Sequence, residues 1–376
     1  MDIPKFEEFF AQINTSYWLL GIPFGKNIQI RFYIFLLLVL LMAIGEINFC
    51  IANVSSKHLL ELTELAPCLS VGILSILKII CIATKRNKIN NLVICLKGLY
   101  NTILEGKKDI VKTDLLFLKA LIKSYFILNM LLIMMYNFST IFIMIYHYFK
   151  TSKVNFMLPY AILLPFSMDL WYEWILVYLY SISSGFLCVL FYTAVDILYY
   201  ILTSLVCNHF ALLSFDLQQV TDGNQLNDIV KRHHYLLKLS EDLEDIFMAP
   251  NFFNVLVGSL EICALGFTLT FGGGIQILGV ILFLTSVLLQ MYMMCLFGET
   301  LMRKSASVGK MAYFCNWHVM DKTSKKTILL IITRSNKEQY LTAYKFSIIS
   351  YKCFTKIIST SWTYFTILRT LYTENK

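Results

Sequence analysis

Asp196 and Lys78 make the strongest demand on their surroundings, because each places a charge inside an otherwise apolar run. A charge at membrane depth costs about 3 kcal/mol or more unless it is paired, so such residues read as functional by default. Asp196 therefore requires a hydrogen-bonding or basic partner within a helical bundle, as a clamp between helices or as a ligand contact. Lys78 has a stem long enough to snorkel to the inner membrane surface, and that placement is expected for it. A third pattern lies near the end of the chain. Thr355, Ser359, Thr363, Thr366 and Thr370 recur every three or four residues, so their hydroxyls share one helical face. In a membrane helix such a stripe means either close packing, with hydroxyls bonded back to the backbone, or a wetted pore.

Other reactive residues do not assemble into a catalytic pattern. The chain has no G-x-S-x-G elbow, no H-E-x-x-H and no Walker loop, so no enzyme, cofactor or metal is expected. His233 and His234 stand beside Lys231 and Arg232, ahead of Glu241, Asp242, Glu244 and Asp245. A metal or proton site is one reading of that cluster; a solvated helix with charge pairs along its length is the expected one. The ten cysteines show no paired CxxC spacing and fall mostly in apolar runs, where a thiol acts as a small hydrophobe. Cys50 and Cys68 flank one short loop and are the pair placed to bridge, although free thiols are expected. Of the sequons at Asn14, Asn53 and Asn137, Asn53 alone is a glycosylation candidate.

The elements that position these residues follow from composition. The 376 residues are 57% hydrophobic and only 15% charged, against about 25% charged in soluble domains. That apolar excess fits a bilayer, where about 20 apolar residues make one crossing. Spans are expected at about 31–52, 64–84, 123–148, 175–205, 250–271, 275–297 and 347–371, all helical because lipid offers the backbone no other partner. Residues 262–298 form 37 uncharged positions, about 56 Å as one helix, too long for one crossing. Gly272, Gly273 and Gly274 are where that run is expected to turn.

Orientation follows from the basic residues. Assigning alternate segments to opposite sides puts 24 of the 32 Lys and Arg on one side and five on the other. The heavier side is cytoplasmic. The expected fold class is thus an all-α membrane protein with seven transmembrane helices, a cytoplasmic N-terminus, an extracellular C-terminus and long helical cytoplasmic extensions. Residues 1–30 make a cytoplasmic segment, 31–297 the first six spans, 298–346 a cytoplasmic anchor region and 347–371 the seventh helix. Segments 206–249 and 298–346 carry apolar residues at helical spacing and are expected to pack together below the membrane. The apolar loop Thr151 to Glu173, with Pro159 and Pro165, is expected to fold down as a lid.

The last 80 or so residues resemble insect odorant receptors. The features are Phe297, Gly298, Glu299, Ser305, Val308, Ala312, Tyr313 and Trp317, then Arg334, Ser335, Leu341, Thr342, Ala343, Lys345 and Phe346, and finally Thr363 to Arg369. His318 replaces the aromatic that usually follows Trp317, and the terminus lacks the Tyr-x5-Gln-Phe ending of gustatory receptors. The long fourth-loop insertion of a co-receptor is also missing. The resemblance implies an odorant-tuning subunit in the dendritic plasma membrane of olfactory neurons, joined to a co-receptor in a heterotetramer. It implies a ligand-gated non-selective cation channel lined by the last helix, with Ile367 and Leu371 as hydrophobic gate above Ser359, Thr363 and Thr366. It also implies an outer-half pocket for small volatile ligands, for which Phe138, Phe142, Tyr146, Tyr178, Ser181 and Phe186 are the expected walls. A gustatory channel of the same fold and a small-molecule transporter are the alternatives, the transporter lacking the expected internal repeats.

Overall fold

The computed structural model describes residues 6–23, 25–53, 59–103, 108–152, 156–164, 166, 170–271 and 276–374. Ten α-helices carry almost all of them. A short amphipathic helix, α1 (Phe6–Leu19), precedes α2 (Ile30–Ala52), α3 (Leu59–Thr84) and α4 (Arg86–Ile103). Four long helices follow: α5 (Lys108–Thr151), α6 (Trp171–Gln218), α7 (Gly223–Phe271) and α8 (Gln276–Phe314). A single 3-10 turn at Trp317–Val319 leads to α9 (Lys322–Ser335), a two-stranded hairpin of β1 (Thr342–Ala343) and β2 (Ser347–Ile348), and α10 (Tyr351–Glu374).

Length separates membrane from extension. The 48 residues of α6 reach about 72 Å, more than twice the hydrocarbon thickness. Its residues 191–210 are buried at every position, the mark of a helix enclosed on all sides. It packs against α3, α5, α7 and α8 and is the axis of the bundle. By contrast α2 turns Tyr33, Leu37, Leu40, Leu41, Ile44 and Ile47 outward, an apolar surface suited to lipid. By length and composition α2, α3, α5, α6, α7 and α8 can each cross a membrane. The apolar run of α10 is interrupted at both ends, by Lys352, Lys356 and Arg369.

Several expectations shift at this level. The segment 1–30 contains a helix, α1, which buries Phe6, Phe9, Phe10, Ile13 and Tyr17 along one face. Phe6 and Phe9 meet Tyr100 of α4 at 5.6 and 6.4 Å. The last helix starts at Tyr351 rather than 347, the preceding residues being taken up by β2. The segments 206–249 and 298–314 are continuations of α6, α7 and α8, joined to α9 and the hairpin. Within them His233 is buried against the core rather than solvated. The glycine triplet lies outside the described residues, but α7 and α8 on either side of it pack against each other.

Candidate functional site

At the centre of the bundle, Asp196 of α6 gathers partners from three other helices. Lys78 Nζ of α3 lies 2.8 Å from Oδ1. Tyr125 of α5 donates its hydroxyl to Oδ2 at 3.0 Å, and Gln290 Nε2 of α8 donates to the same oxygen at 2.9 Å. Gln290 also donates to Asn254 Oδ1 of α7 at 3.3 Å and accepts from Tyr192. The Lys78 ammonium stands 3.8 Å from the centre of the Tyr192 ring. Asp196 is thus the clamp between helices that its position demands, satisfied by one charge and two neutral donors. The snorkelling expected of Lys78 does not occur: its side chain is 0% exposed. The ammonium is enclosed instead, between the Asp196 carboxylate and the Tyr192 ring.

Two further carboxylates sit on this column. Glu261 of α7 is buried and accepts from Ser70 Oγ at 2.7 Å, while its second oxygen has no hydrogen-bond partner. Glu46 of α2 is buried near Gly72 of α3.

Toward the α5–α6 connection the interior becomes aromatic. Tyr160, on the connection itself, is 7% exposed and donates to Asn137 Oδ1 of α5 at 2.9 Å. Tyr178 of α6 donates to the backbone carbonyl of Asn137 at 2.7 Å, and the Tyr136 ring is tilted on Tyr160 at 5.3 Å. Gly185 of α6 faces the Tyr160 hydroxyl so closely that a Cβ there would overlap it. Leu163 N donates to Gly45 O at 3.1 Å and Trp174 Nε1 to Met157 O at 3.2 Å. The described part of this connection therefore lies over the bundle as a lid. Cys50 and Cys68 are both free thiols, and Cys68 instead donates to the Tyr136 hydroxyl at 2.9 Å.

This geometry divides the expected pocket residues. Tyr178 and Ser181 are buried beside Asn137, and Phe186 is half-buried one position from Gly185. Phe138, Phe142 and Tyr146 point out of the bundle, Phe142 with 71% of its surface exposed. The inward face of α5 is instead Ile122, Tyr125, Asn129, Ile133, Asn137 and Thr140. Phe138 is one residue from that face, a rotation of about 100° on a helix. The signal that finds the correct face is the polar residues, which avoid lipid and so mark the interior.

On α10 the residues Cys353, Ile357, Ser361 and Phe365 are buried at intervals of four. Phe365 joins Cys263 and Phe267 of α7 in a small cluster, with Phe271, Leu368 and Tyr372 around it. Ser359, Thr363, Thr366, Ile367, Thr370 and Leu371 lie on the opposite, exposed face. Thr363, Thr366 and Thr370 donate to the carbonyls of Ser359, Thr363 and Thr366 at 3.0, 2.8 and 3.0 Å. Their hydroxyls are bonded back to the helix yet exposed, so among the described residues the stripe packs against no other helix.

The base of α10 is fixed tightly. Gly298 of α8 lies against the Ile349 carbonyl, where a Cβ would overlap the oxygen. Thr342 N donates to Glu244 Oε2 at 2.7 Å, and its hydroxyl donates to the other carboxylate oxygen. Tyr351 N donates to Glu299 Oε2 at 3.3 Å. The hairpin turn holds Tyr344 and Lys345 at φ 48° and 62°, left-handed values rare for side chains of this size. Asp321 caps α9, accepting from Thr323 N at 2.9 Å and Ser324 N at 3.4 Å. Hydrogen bonding from the Ser324 side chain leads the effects that hold its carboxyl below the usual carboxylate range, with the two backbone bonds adding to it.

A multi-pass helical bundle with an internal polar clamp, an aromatic niche under a lid and one uncovered helix face is the architecture of a membrane receptor. The 7tm Odorant receptor family profile matches residues 59–362, and the chain belongs to that family. Its function is that of an odorant receptor. Putative odorant receptor 92a of Drosophila melanogaster is 28% identical over 348 residues, covering 88% of this chain and 84% of the relative. The odorant receptor coreceptor of Anopheles gambiae is 26% identical over 141 residues, 37% of this chain and 30% of that one. The insect olfactory receptor OR5 from Machilis hrabei, solved in complex with eugenol, has the same fold at a TM-score of 0.85. It is 15% identical, with 97% of this chain and 98% of that one covered.

Proposed function

We propose that the chain is an odorant-tuning subunit which joins a co-receptor in a heterotetrameric, ligand-gated, non-selective cation channel. Its place is the dendritic plasma membrane of olfactory sensory neurons. The observation that supports the channel reading is the exposed face of α10, on which the hydroxyls of Ser359, Thr363 and Thr366 and the Ile367 side chain stand uncovered among the described residues. A membrane helix whose exposed face carries hydroxyls rather than apolar groups alone is suited to further subunits around a shared path. Four such faces around an axis would give a path wetted at Ser359, Thr363 and Thr366 and closed by an apolar ring at Ile367 and Leu371. Dewetting of that ring supplies the barrier until the helices move outward. α10 is then the seventh crossing, with the N-terminus cytoplasmic and the C-terminus outside, as the distribution of Lys and Arg supports.

The volatile ligand enters under the 156–164 lid, between Tyr178, Ser181, Asn137 and Tyr136. Phe138, Phe142 and Tyr146 then belong to the lipid or neighbour-facing surface and not to the pocket. The test is the current evoked by a panel of volatiles in cells expressing this chain with a co-receptor. A cation current that needs both subunits is expected, whereas full surface assembly with no response to any volatile would overturn the reading. Epitope tags on intact cells test the orientation: one after Lys376 is expected to be accessible and one before Met1 protected.

A further inference from the structure

Tyr160 is the one aromatic of the described lid that is buried within the bundle, while Phe156, Met157, Leu163 and Phe166 remain exposed. Its slot is made by α5 and α6 and not by the loop that fills it. The wall is the Tyr136 ring, the floor is the bare backbone at Gly185, and the polar end is Asn137. Asn137 Oδ1 accepts the phenol hydroxyl, while Asn137 Nδ2, equally buried, has no partner. A buried amide donor left unmatched costs about 1 to 3 kcal/mol, so the slot holds an unused donor beside a used acceptor. Besides the Tyr160 bond to Asn137, the described hydrogen bonds between lid and helices are Leu163 to Gly45 and Trp174 to Met157, which flank Tyr160.

Resting on the pocket assigned above, we propose that the Asn137, Gly185 and Tyr136 niche is a subsite for hydroxylated aromatic odorants, and that Tyr160 occupies it with its own phenol until a ligand ring replaces it. A phenol ligand matches the slot in shape and in hydrogen bonding. It recovers the bond to Asn137 Oδ1, and an additional acceptor oxygen on the ligand would find Asn137 Nδ2. A hydrocarbon ring of the same size displaces Tyr160 without recovering that bond. The niche therefore discriminates by the hydroxyl, which pockets do far better than by a methylene. Displacement of Tyr160 also frees the lid that carries it, which couples occupation of the niche to movement at the α5–α6 connection.

The experiment compares 4-ethylphenol with ethylbenzene on the full chain assembled with a co-receptor, with surface labelling of every variant. The wild type is expected to respond to 4-ethylphenol at concentrations at least tenfold lower. Asn137→Leu is expected to abolish that preference. Tyr160→Ala and the milder Tyr160→Phe are expected to lower the half-maximal concentration for 4-ethylphenol about threefold or more, because a weaker competitor occupies the slot. Gly185→Ala, which puts a methyl in the floor, is expected to raise it at least tenfold. Equal potency of the two probes on the wild type, no response to 4-ethylphenol, or normal surface levels with unchanged potency in both Tyr160 variants would overturn the subsite. If the channel still opens to other volatiles in those cases, the receptor reading stands and only the phenol subsite falls.

Discussion

Replacing Lys78 by Met removes the cation from the centre of the bundle while keeping much of the side-chain volume. Asp196, 4% exposed, would be left with Tyr125 and Gln290 as neutral donors at 3.0 and 2.9 Å. Breaking one side of a buried pair costs about 3–5 kcal/mol, because the remaining charge stays in a low-dielectric site without compensation. That corresponds to a change of about two to four orders of magnitude in the folded-to-unfolded ratio. Asp196→Asn is expected to be costly too: the Lys78 ammonium keeps a carbonyl-type acceptor and the Tyr192 ring, 3.8 Å away, but loses its counter-charge. The double variant Lys78→Met, Asp196→Asn removes both charges and leaves an amide with Tyr125 and Gln290 as neighbours. It is expected to recover a substantial part of either loss, giving a coupling of about 2 kcal/mol or more in a double-mutant cycle.

The assay is thermal unfolding of the detergent-solubilised receptor, followed by fluorescence-detected size exclusion, with surface labelling in cells as a second readout. Each single variant should lower the midpoint and the surface level, and the double should exceed both singles. A Lys78→Met variant as stable as the wild type, or a double variant whose loss is the sum of the singles, would refute the idea that this pair acts as one clamp.

Three further outcomes follow from the same geometry. Gly298→Ala should destabilise the base of α10 by about 1–3 kcal/mol, since the new methyl must displace the Ile349 carbonyl; thermal unfolding measures it. Phe142→Ala should leave odorant potency within about twofold because its ring lies outside the bundle, whereas Tyr178→Phe, which removes a side-chain hydrogen bond to the Asn137 carbonyl, should shift potency by roughly fivefold, in line with the ~1 kcal/mol net worth of one hydrogen bond; dose–response currents separate them. Ile367→Ser or Leu371→Ser should raise resting current or alter permeability, while Ile348→Ser, on β2 away from α10, should leave both unchanged in patch-clamp recordings.

How much of this was legible in the sequence depends on which force wrote each feature. Spans are legible because lipid forbids charges over long stretches, and residues 262–298 declare their hairpin by length alone. The hairpin at 342–348 was not, because its left-handed positions are Tyr344 and Lys345 instead of the Asn and Gly that signal such turns. It is held from outside, by Glu244 beneath Thr342 and by Ile349 N on the Leu341 carbonyl at 2.8 Å. Those contacts come from residues far away in the chain or across the turn, and local propensity carries no trace of them.

The pocket face of α5 failed for a different reason. Between Ser124 and Phe149 most residues are apolar and none is charged, so hydrophobic periodicity, the usual guide to a helix's inner face, has little to vary. In water the inner face of a helix is its apolar one; in lipid the contrast inverts, and the scarce polar groups turn inward. Tyr125, Asn129, Asn137 and Thr140 obey that inversion, and each is buried. The aromatic spacing of Phe138, Phe142 and Tyr146 is equally regular and points to lipid or a neighbouring subunit. The same rule explains Lys78 and Asp196 together: each charge is tolerable at that depth only because α3 and α6 bring the other within 2.8 Å. The interior of the bundle is thus held by one such pair, while the lid tyrosine rests on one asparagine. Under the proposal, displacing Tyr160 breaks one side-chain hydrogen bond, worth about 1 kcal/mol, and leaves the Lys78–Asp196 clamp untouched.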